Sequence, residues 1–492
     1  MRASGVLLPV SSIPSKYGIG TFSKEAYEFV DFLAQAGQTY WQILPLGPTG
    51  YGDSPYQSFS TYAGNPYYVD LEQLVKAGWL TEKDLKSCDW GSHAGYVDYE
   101  KIYQSRFEIL YKAFLNSKIE KDEEFLRFCA ESEWLLDYAL FMAIKDSKKG
   151  ISWAEWEEDI RVRKEETLEK YRTKLKKQIL FYQFQQFLFA RQWSALKKYA
   201  NEKGILIVGD IPIYVAFDSA DTWANPELFQ LDESGTPVAV AGCPPDAFSA
   251  TGQLWGNPLY RWDYHKQTGY AWWMKRLAHC FALYDVVRID HFRGFDEYYA
   301  IPFGDETAEY GHWEKGPGYE LFKVMKQQLG NKSVIAEDLG FLTPSVIKLV
   351  KKTGYPGMKI LQFAFDSREE SDYLPHNYVP NSVVYTGTHD NNTTLGWFKE
   401  LNRHDRGFAK RYLNIKTNQN VTWEFIRAAL ASVSETAIIP MQDYLGLSGE
   451  ARINMPSTLG TNWKWRMLPG QISEELATKI CNMCKLYGRC NK

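Results

Sequence analysis

Residues 284–292 read YDVVRIDHF. Val286, Val287 and Ile289 form a short β-branched run, and Arg288, Asp290 and His291 crowd its end. A run this apolar suits a strand covered on both faces, as in a parallel sheet flanked by helices. Seven other stretches share the form: SGVLLPV (4–10), TYWQILPL (39–46), GILIVGDIPIYV (204–215), SVIAEDLG (333–340), GMKILQFAF (357–365), SVVYTGTHD (382–390) and TAIIPMQDY (436–444). Helical patterns lie between several of them. KEAYEFVDFLAQAG (24–37) stops at a glycine, and TPSVIKLVKKTG (343–354) opens Thr-Pro and also ends in glycine, the expected punctuation of a helix. Strands alternating with helices predict an α/β fold with a parallel sheet. Eight such units predict a (β/α)8 TIM barrel with large helical and loop insertions.

The uneven spacing locates the insertions. The chain reads as one barrel over 1–492, with extra segments at about 47–177 (a loop plus a helical subdomain) and 216–283 (a loop subdomain over the strand ends), because both intervals exceed a plain connection. Runs four to eight follow at intervals that fit simple units. Within the first insertion, RVRKEETLEKYRTKLKK (161–177) is basic, but Glu165, Glu166 and Glu169 interleave its charges, so it reads as a solvated helix face.

Composition excludes several classes. Lys+Arg is 56 and Asp+Glu is 60, a net charge of −4, which opposes a nucleic-acid or anionic-membrane partner. No apolar run reaches the length of about 18 residues that a membrane span requires, and the N-terminal apolar stretch is too short for a signal peptide. Seven scattered cysteines argue against a disulfide framework and for a reducing, cytoplasmic location. Cys481 and Cys484 form a C-x-x-C that reads as two thiols one turn apart on a terminal helix, with a metal or redox role as the alternative. Aromatics reach 15% of the chain, with 17 Trp. Some of these must be core, and the rest suit a flat ligand such as a sugar.

Reactive groups in a barrel come from the carboxyl ends of strands. Four runs end in acids with other polar groups: Asp210; Arg288, Asp290, His291 and Arg293; Glu337 and Asp338; His389 and Asp390. A lone acid after a strand is commonly a cap or a solvated turn, and Asp338 fits that reading. Several together suggest either an oxygen-ligand metal site or glycoside chemistry with a nucleophile and an acid/base. Residues i and i+2 of a strand share a face, so Arg288 sits beside Asp290. It is expected to lower the Asp290 pKa and to oppose a divalent cation. The aromatic surplus leans toward sugar.

VRIDHFRG, IAEDLG and YTGTHDNNTTLGW resemble the three catalytic-strand motifs of the amylomaltases. These are the 4-α-glucanotransferases (disproportionating enzymes) of glycoside hydrolase family 77, in the α-amylase clan. GVLLPVSSIPSKYGIG, GYGDSPYQSFSTYAGNPYY, VGDIPIYVAFDSADTW, PPDAFSATGQLWGNPLY and NMPSTLGTNWKWR also have family counterparts, so the resemblance spans the chain. It implies that Asp290 is the nucleophile, Glu337 the general acid and then base, and Asp390 a transition-state stabiliser through the sugar 2- and 3-hydroxyls. It implies that Arg288 holds Asp290, that Asp210, His291 and His389 bond the sugar in the cleaved subsite, and that Trp255 is a platform and lid residue beside Gln253. Tyr56 is implied in the acceptor region. The resemblance also implies α-1,4-glucans and malto-oligosaccharides as substrates, glucose as an acceptor, retaining double displacement, and neither metal nor organic cofactor. The chain departs from the pattern at Asn392, where Asp is usual, and at Ala247, where Tyr is usual. An α-1,4-glucan hydrolase would use the same carboxylates, and a non-catalytic glucan-binding barrel is a third reading. Oligomeric state is not legible.

Overall fold

A computed structural model of the chain describes residues 2–50, 52–245, 249–340, 342–417 and 420–491. Each of the eight runs contains a strand: β1 (Ala3–Leu7), β2 (Tyr40–Gln42), β3 (Leu206–Pro212), β4 (Val286–Asp290), β5 (Val334–Ala336), β6 (Gly357–Ile360), β7 (Ser382–Tyr385) and β8 (Thr436–Pro440). They form one parallel sheet in the order β6-β7-β8-β1-β2-β3-β4-β5. The seam between β5 and β6 is bridged by Ala336 N–H donating to the Pro356 carbonyl at 3.0 Å. The Asp338 carboxylate extends that bridge by accepting from Met358 N–H at 2.7 Å. A Cβ at Gly357 would lie 2.2 Å from Asp338 Oδ2, so a glycine is what lets the carboxylate reach the neighbouring strand. Asp338 is therefore an architectural acid that ties the barrel shut.

Helices cover the outer face. Lys24–Gln35, the 27-residue Lys176–Glu202, Ala271–Leu283 and Pro344–Thr353 precede β2, β3, β4 and β6. The Thr343 side chain caps the last of these, accepting from Val346 N–H, and Gly354 ends it at φ 75°, as the sequence punctuation implies. Trp41, Trp193 and Trp273 are buried between sheet and helices. Trp273 is thus packing, and its neighbour Trp272 packs on Phe229 and Tyr260. In the basic stretch, Arg172 pairs with Glu165 and Glu169 on the helix surface.

A second, antiparallel sheet stands beside the strand ends. Its order is Gln253–Pro258, Ala239–Cys243, Glu297–Pro302, His312–Lys315. The last two strands fall between β4 and β5, where the sequence reads as a plain connection. The first strand lies in a continuous apolar run, YYAIPF (298–303), which is not one of the eight; the second, HWEK, is polar, and its Glu314 accepts from the Tyr298 hydroxyl. Of the histidines outside the motifs, His265 and His279 rest on the Leu228 and Tyr62 carbonyls, and His93, His312, His376 and His404 are exposed. Among the described residues no helix is long and apolar enough to cross a membrane.

Candidate active site

Strand register assembles the site. Asp210 on β3 is the cross-strand partner of Arg288 on β4, so both side chains enter the barrel at one level. Arg288 Nη1 donates to both Asp210 oxygens, at 2.7 and 2.6 Å, and to Asp290 Oδ1 at 3.0 Å. Arg288 Nε meets Met358 Sδ at 3.4 Å. Burial by itself would lower the Arg288 pKa, but the two carboxylates outweigh it and hold the guanidinium well above its ordinary value. Asp210 is fully buried and takes a further bond from the Tyr56 hydroxyl at 2.8 Å. Tyr56 therefore lies against the cluster itself.

Asp290 and Glu337 end adjacent strands. Ile289 pairs with Ala336, and Glu337 N–H donates to the Ile289 carbonyl at 3.1 Å. The next residue, His291, takes a left-handed conformation at φ 54°. That turn aims its N–H at Glu337 Oε2, at 2.7 Å, while Leu339 N–H reaches Oε1 at 3.0 Å. Burial, and then the Asp290 charge, push Glu337 up to about 7 against these donors and Arg288. Burial also pushes Asp290 up, to about 6, and Arg288 opposes without overturning it. The sequence expectation was a lowered Asp290. The direction differs because burial outweighs the guanidinium, one nitrogen of which also serves Asp210, and the Asp210 charge adds to the cost of ionising Asp290.

Asp390 behaves oppositely. Burial would raise it, but His389 and a bond from Asn454 Nδ2 at 2.6 Å hold it well below the usual carboxylate range. Burial opposes protonation of His389, and Asp390, 3.3 Å away, nevertheless raises its pKa. The His389 ring stacks on Tyr56 at 5.1 Å and 17°. Arg452 donates to the carbonyls of Asp390 and Asn454, both at 2.7 Å. This binds the loop after β7 to the loop after β8.

Trp255 stands edge-on to His291, with ring centroids 4.8 Å apart, and its indole N–H donates to Gln253 at 3.1 Å. Gln57, next to Tyr56, donates to Asn257 at 3.2 Å and to the Trp255 carbonyl at 3.4 Å, joining loop 47–68 to the second sheet. Burial and Arg293 lower the His291 pKa to about 3, so its imidazole is neutral. Among the described residues His291 Nε2 and His389 Nδ1 are buried without a hydrogen-bond partner.

The structure thus brings Tyr56, Asp210, Arg288, Asp290, Glu337, His389 and Asp390 into one connected cluster, with His291, Trp255 and Gln253 on its flank. Sequence reasoning did not single out Asn454, Arg452 or Gln57. Asn454 and Arg452 reach Asp390 across more than sixty residues, and no spacing rule encodes that contact. Asn392 lies outside the carboxylate cluster. Its amide donates to Glu400 at 2.9 Å, a bond that an ionised Asp could not make. Ala247 lies outside the described residues. Among the described residues no group of three or more His, Cys, Asp or Glu is arranged to hold a metal ion.

The family model Glyco_hydro_77, described as 4-alpha-glucanotransferase, matches residues 8–471. The chain belongs to glycoside hydrolase family 77. Among curated family relatives, the 4-alpha-glucanotransferase of Clostridium butyricum is 49% identical over 98% of this chain and 99% of its own. That of Thermus thermophilus is 47% identical over 99% of both. The structure of amylomaltase from Streptococcus agalactiae in complex with acarbose superposes at a TM-score of 0.97, with 43% identity and full coverage of both chains. The amylomaltase of Corynebacterium glutamicum, at 20% identity over 98% of this chain and 75% of its own, shares the fold at a TM-score of 0.79. This family 77 chain is therefore an enzyme with a TIM-barrel scaffold.

Proposed function

We propose that this enzyme is a 4-α-glucanotransferase that moves segments of α-1,4-glucan between malto-oligosaccharides, with maltose or glucose among the acceptors. Asp290, as a carboxylate, attacks the anomeric carbon while protonated Glu337 gives its proton to the leaving oxygen. The bond to the departing chain breaks and a β-glucosyl ester forms on Asp290. The 4-hydroxyl of an acceptor then attacks the same carbon. Glu337, now a carboxylate, takes that proton, and Asp290 leaves, so the configuration is retained. Asp390 stays ionised and accepts from the sugar 2- and 3-hydroxyls as positive charge develops on the ring. Asp210, His291 and His389 hold the same sugar, Trp255 offers its face, with Gln253 beside it, and Tyr56 serves the acceptor side.

The observation that carries this reading is the Asp290–Glu337 pair. Two buried carboxyls end adjacent strands, and burial raises both while a charge on Asp290 further opposes ionisation of Glu337. The Arg288 guanidinium between Asp210 and Asp290 leaves those acids no need of a metal. Sugar in place of water as acceptor needs a covered site, and the Gln57 bonds that draw loop 47–68 onto the Trp255 strand support this. Seven free thiols support a reducing, cytoplasmic location. Incubation with pure maltotriose tests the reaction: glucose together with chains longer than maltotriose is expected, whereas maltose and glucose alone would make the enzyme a hydrolase. Asp290→Asn is expected to abolish turnover and to leave maltotriose binding in place.

A further inference from the structure

Cys481 and Cys484 look like a pair in the sequence, and the fold separates them. Both lie on helix Glu474–Leu486. Cys484 is buried against Ser4 Oγ and Gln38 Nε2, each 3.3 Å from its sulfur. Cys481 faces Cys490 instead, with 3.7 Å between sulfurs, and both of these thiols are half-exposed. Gly37 makes room for them: a Cβ there would lie 2.3 Å from Cys490 Sγ and 3.3 Å from Cys481 Sγ.

The segment that carries Cys490 is a strap under the amino-terminal end of the barrel. Arg489 is fully buried and donates to the carbonyls of Ala3, Leu430, Ser432, Ser434 and Glu435, around the starts of β1 and β8. Asn491 N–H donates to the Gly37 carbonyl at 2.8 Å, and its side chain to the Gly204 carbonyl at 2.9 Å. Cys481, on the helix, is the group placed to anchor this strap covalently.

We propose that Cys481 and Cys490 are an oxidation site, which a low-molecular-weight disulfide converts into a covalent staple on the strap. One cysteine thiolate attacks a sulfur of the small disulfide, forming a mixed disulfide and expelling one thiolate. The second cysteine, after losing its proton, attacks the protein sulfur of that mixed disulfide and expels the other small thiol. The balance is one small disulfide reduced to two thiols and two cysteine thiols oxidised to one cystine. The sulfurs must close from 3.7 Å to about 2.05 Å, and both belong to half-exposed side chains. Pairing with Cys484 would instead draw a buried thiol out of its packed site. In a reducing compartment both remain thiols, so the staple is conditional. The strap lies at the end of the barrel away from the carboxylate cluster, so its oxidation alters retention of the tail and leaves the chemistry alone.

The test uses the full-length enzyme, equilibrated with oxidised glutathione or with dithiothreitol. Thiols are titrated in denaturant, and non-reduced peptides are mapped by mass. Oxidation is expected to reduce the titrated thiols from seven by two and to join the Cys481 peptide to the Cys490 peptide. It is also expected to raise the thermal midpoint by about 2–3 °C, from the entropy lost when so short a loop is closed in the unfolded chain. Dithiothreitol should reverse all three, and transfer from maltotriose should not change. In Cys490→Ser a glutathione adduct on Cys481, with no rise in midpoint, is expected. Seven titrating thiols in the oxidised sample, adducts on both cysteines without a link, or a bond between any other pair would overturn the site. A link with no rise in midpoint would overturn its role as a staple.

Discussion

Arg288→Met isolates the charge on which the site turns. The Arg288 side chain is 3% exposed, and a single nitrogen of it reaches Asp210 at 2.6 Å and Asp290 at 3.0 Å. A cation this close holds a carboxylate pKa down by about 1–3. Without it, Asp290 should climb from about 6 to about 7–9. Glu337, which Arg288 also lowers, should rise with it. Near pH 7 the ionised fraction of Asp290 then falls from about nine-tenths to between about one-half and one-hundredth, a loss of about 2- to 100-fold in kcat/KM. The sign follows from the nucleophile: it must be ionised, so raising its pKa moves the acid limb of the pH profile to higher pH, and the loss recovers in alkali. Arg288→Lys makes the complementary test. Both carboxylate bonds come from one nitrogen, so an ammonium is expected to keep the acid limb within about half a pH unit. The variant also leaves Asp210 buried with Tyr56 as its one remaining donor among the described residues, at a cost of about 3–5 kcal/mol. Adding Asp210→Asn should restore much of that stability, so the pH profile is readable in the double variant as well. The assay is glucose release from maltotriose between about pH 5 and pH 9, with thermal melts in parallel. An Arg288→Met profile whose acid limb coincides with that of the unmutated enzyme would refute the reasoning.

Four further outcomes are expected. Glu337→Gln should abolish transfer yet stabilise the fold at alkaline pH. The folded Glu337 pKa lies above its unfolded value, so its ionisation costs stability as pH rises from about 4.5 to 7, and the amide should gain about 1–3 kcal/mol near pH 8 and little near pH 5, as read from paired melts. Asn454→Ala removes the 2.6 Å donor to Asp390. His389 remains beside that carboxylate and one edge of it stays open at the cleft, so a loss of about tenfold in kcat/KM is expected in steady-state assays, with the thermal midpoint nearly unchanged. Arg489→Met strips a buried guanidinium from the carbonyls of Ala3, Leu430, Ser432, Ser434 and Glu435, of which Arg2 still serves Leu430 and Ser432. It should cost about 3–5 kcal/mol in denaturant unfolding while the folded fraction keeps its kcat. Dialysis against a chelator should leave the transfer rate where it was, since Arg288 supplies the positive charge between Asp210 and Asp290; a rate that falls and returns with added divalent cation would contradict this.

The barrel was legible because its signals are local. Each strand is an apolar run bounded by turn residues, and the helices between runs carry their own caps. The hairpin Glu297–Pro302 and His312–Lys315 was not, because its second strand is polar and nothing local in the apolar run 298–303 says that it pairs in another sheet. The acids at the strand ends were legible for the same local reason, and the i, i+2 step placed Arg288 beside Asp290. What Asp338 does was open in the sequence, since a post-strand acid is the same letter whether it caps, solvates or bridges a seam. Its bond to Met358 N–H is set by the closing of β5 against β6.

The sequence by itself determined which elements form and which reactive groups end them, since strand period, helix period and caps act over a few residues. Tertiary structure alone decided who meets whom and at what charge. Tyr56 reaches Asp210 and Asn454 reaches Asp390 over separations of 154 and 64 residues. Cys481 turns from its sequence neighbour to Cys490, and Asp290 rises where its nearest cation would have lowered it. Contacts such as these follow from register and chain crossing. The pKa values follow from how much water the assembled site excludes and from how many carboxylates share one guanidinium, and neither quantity exists until the barrel closes.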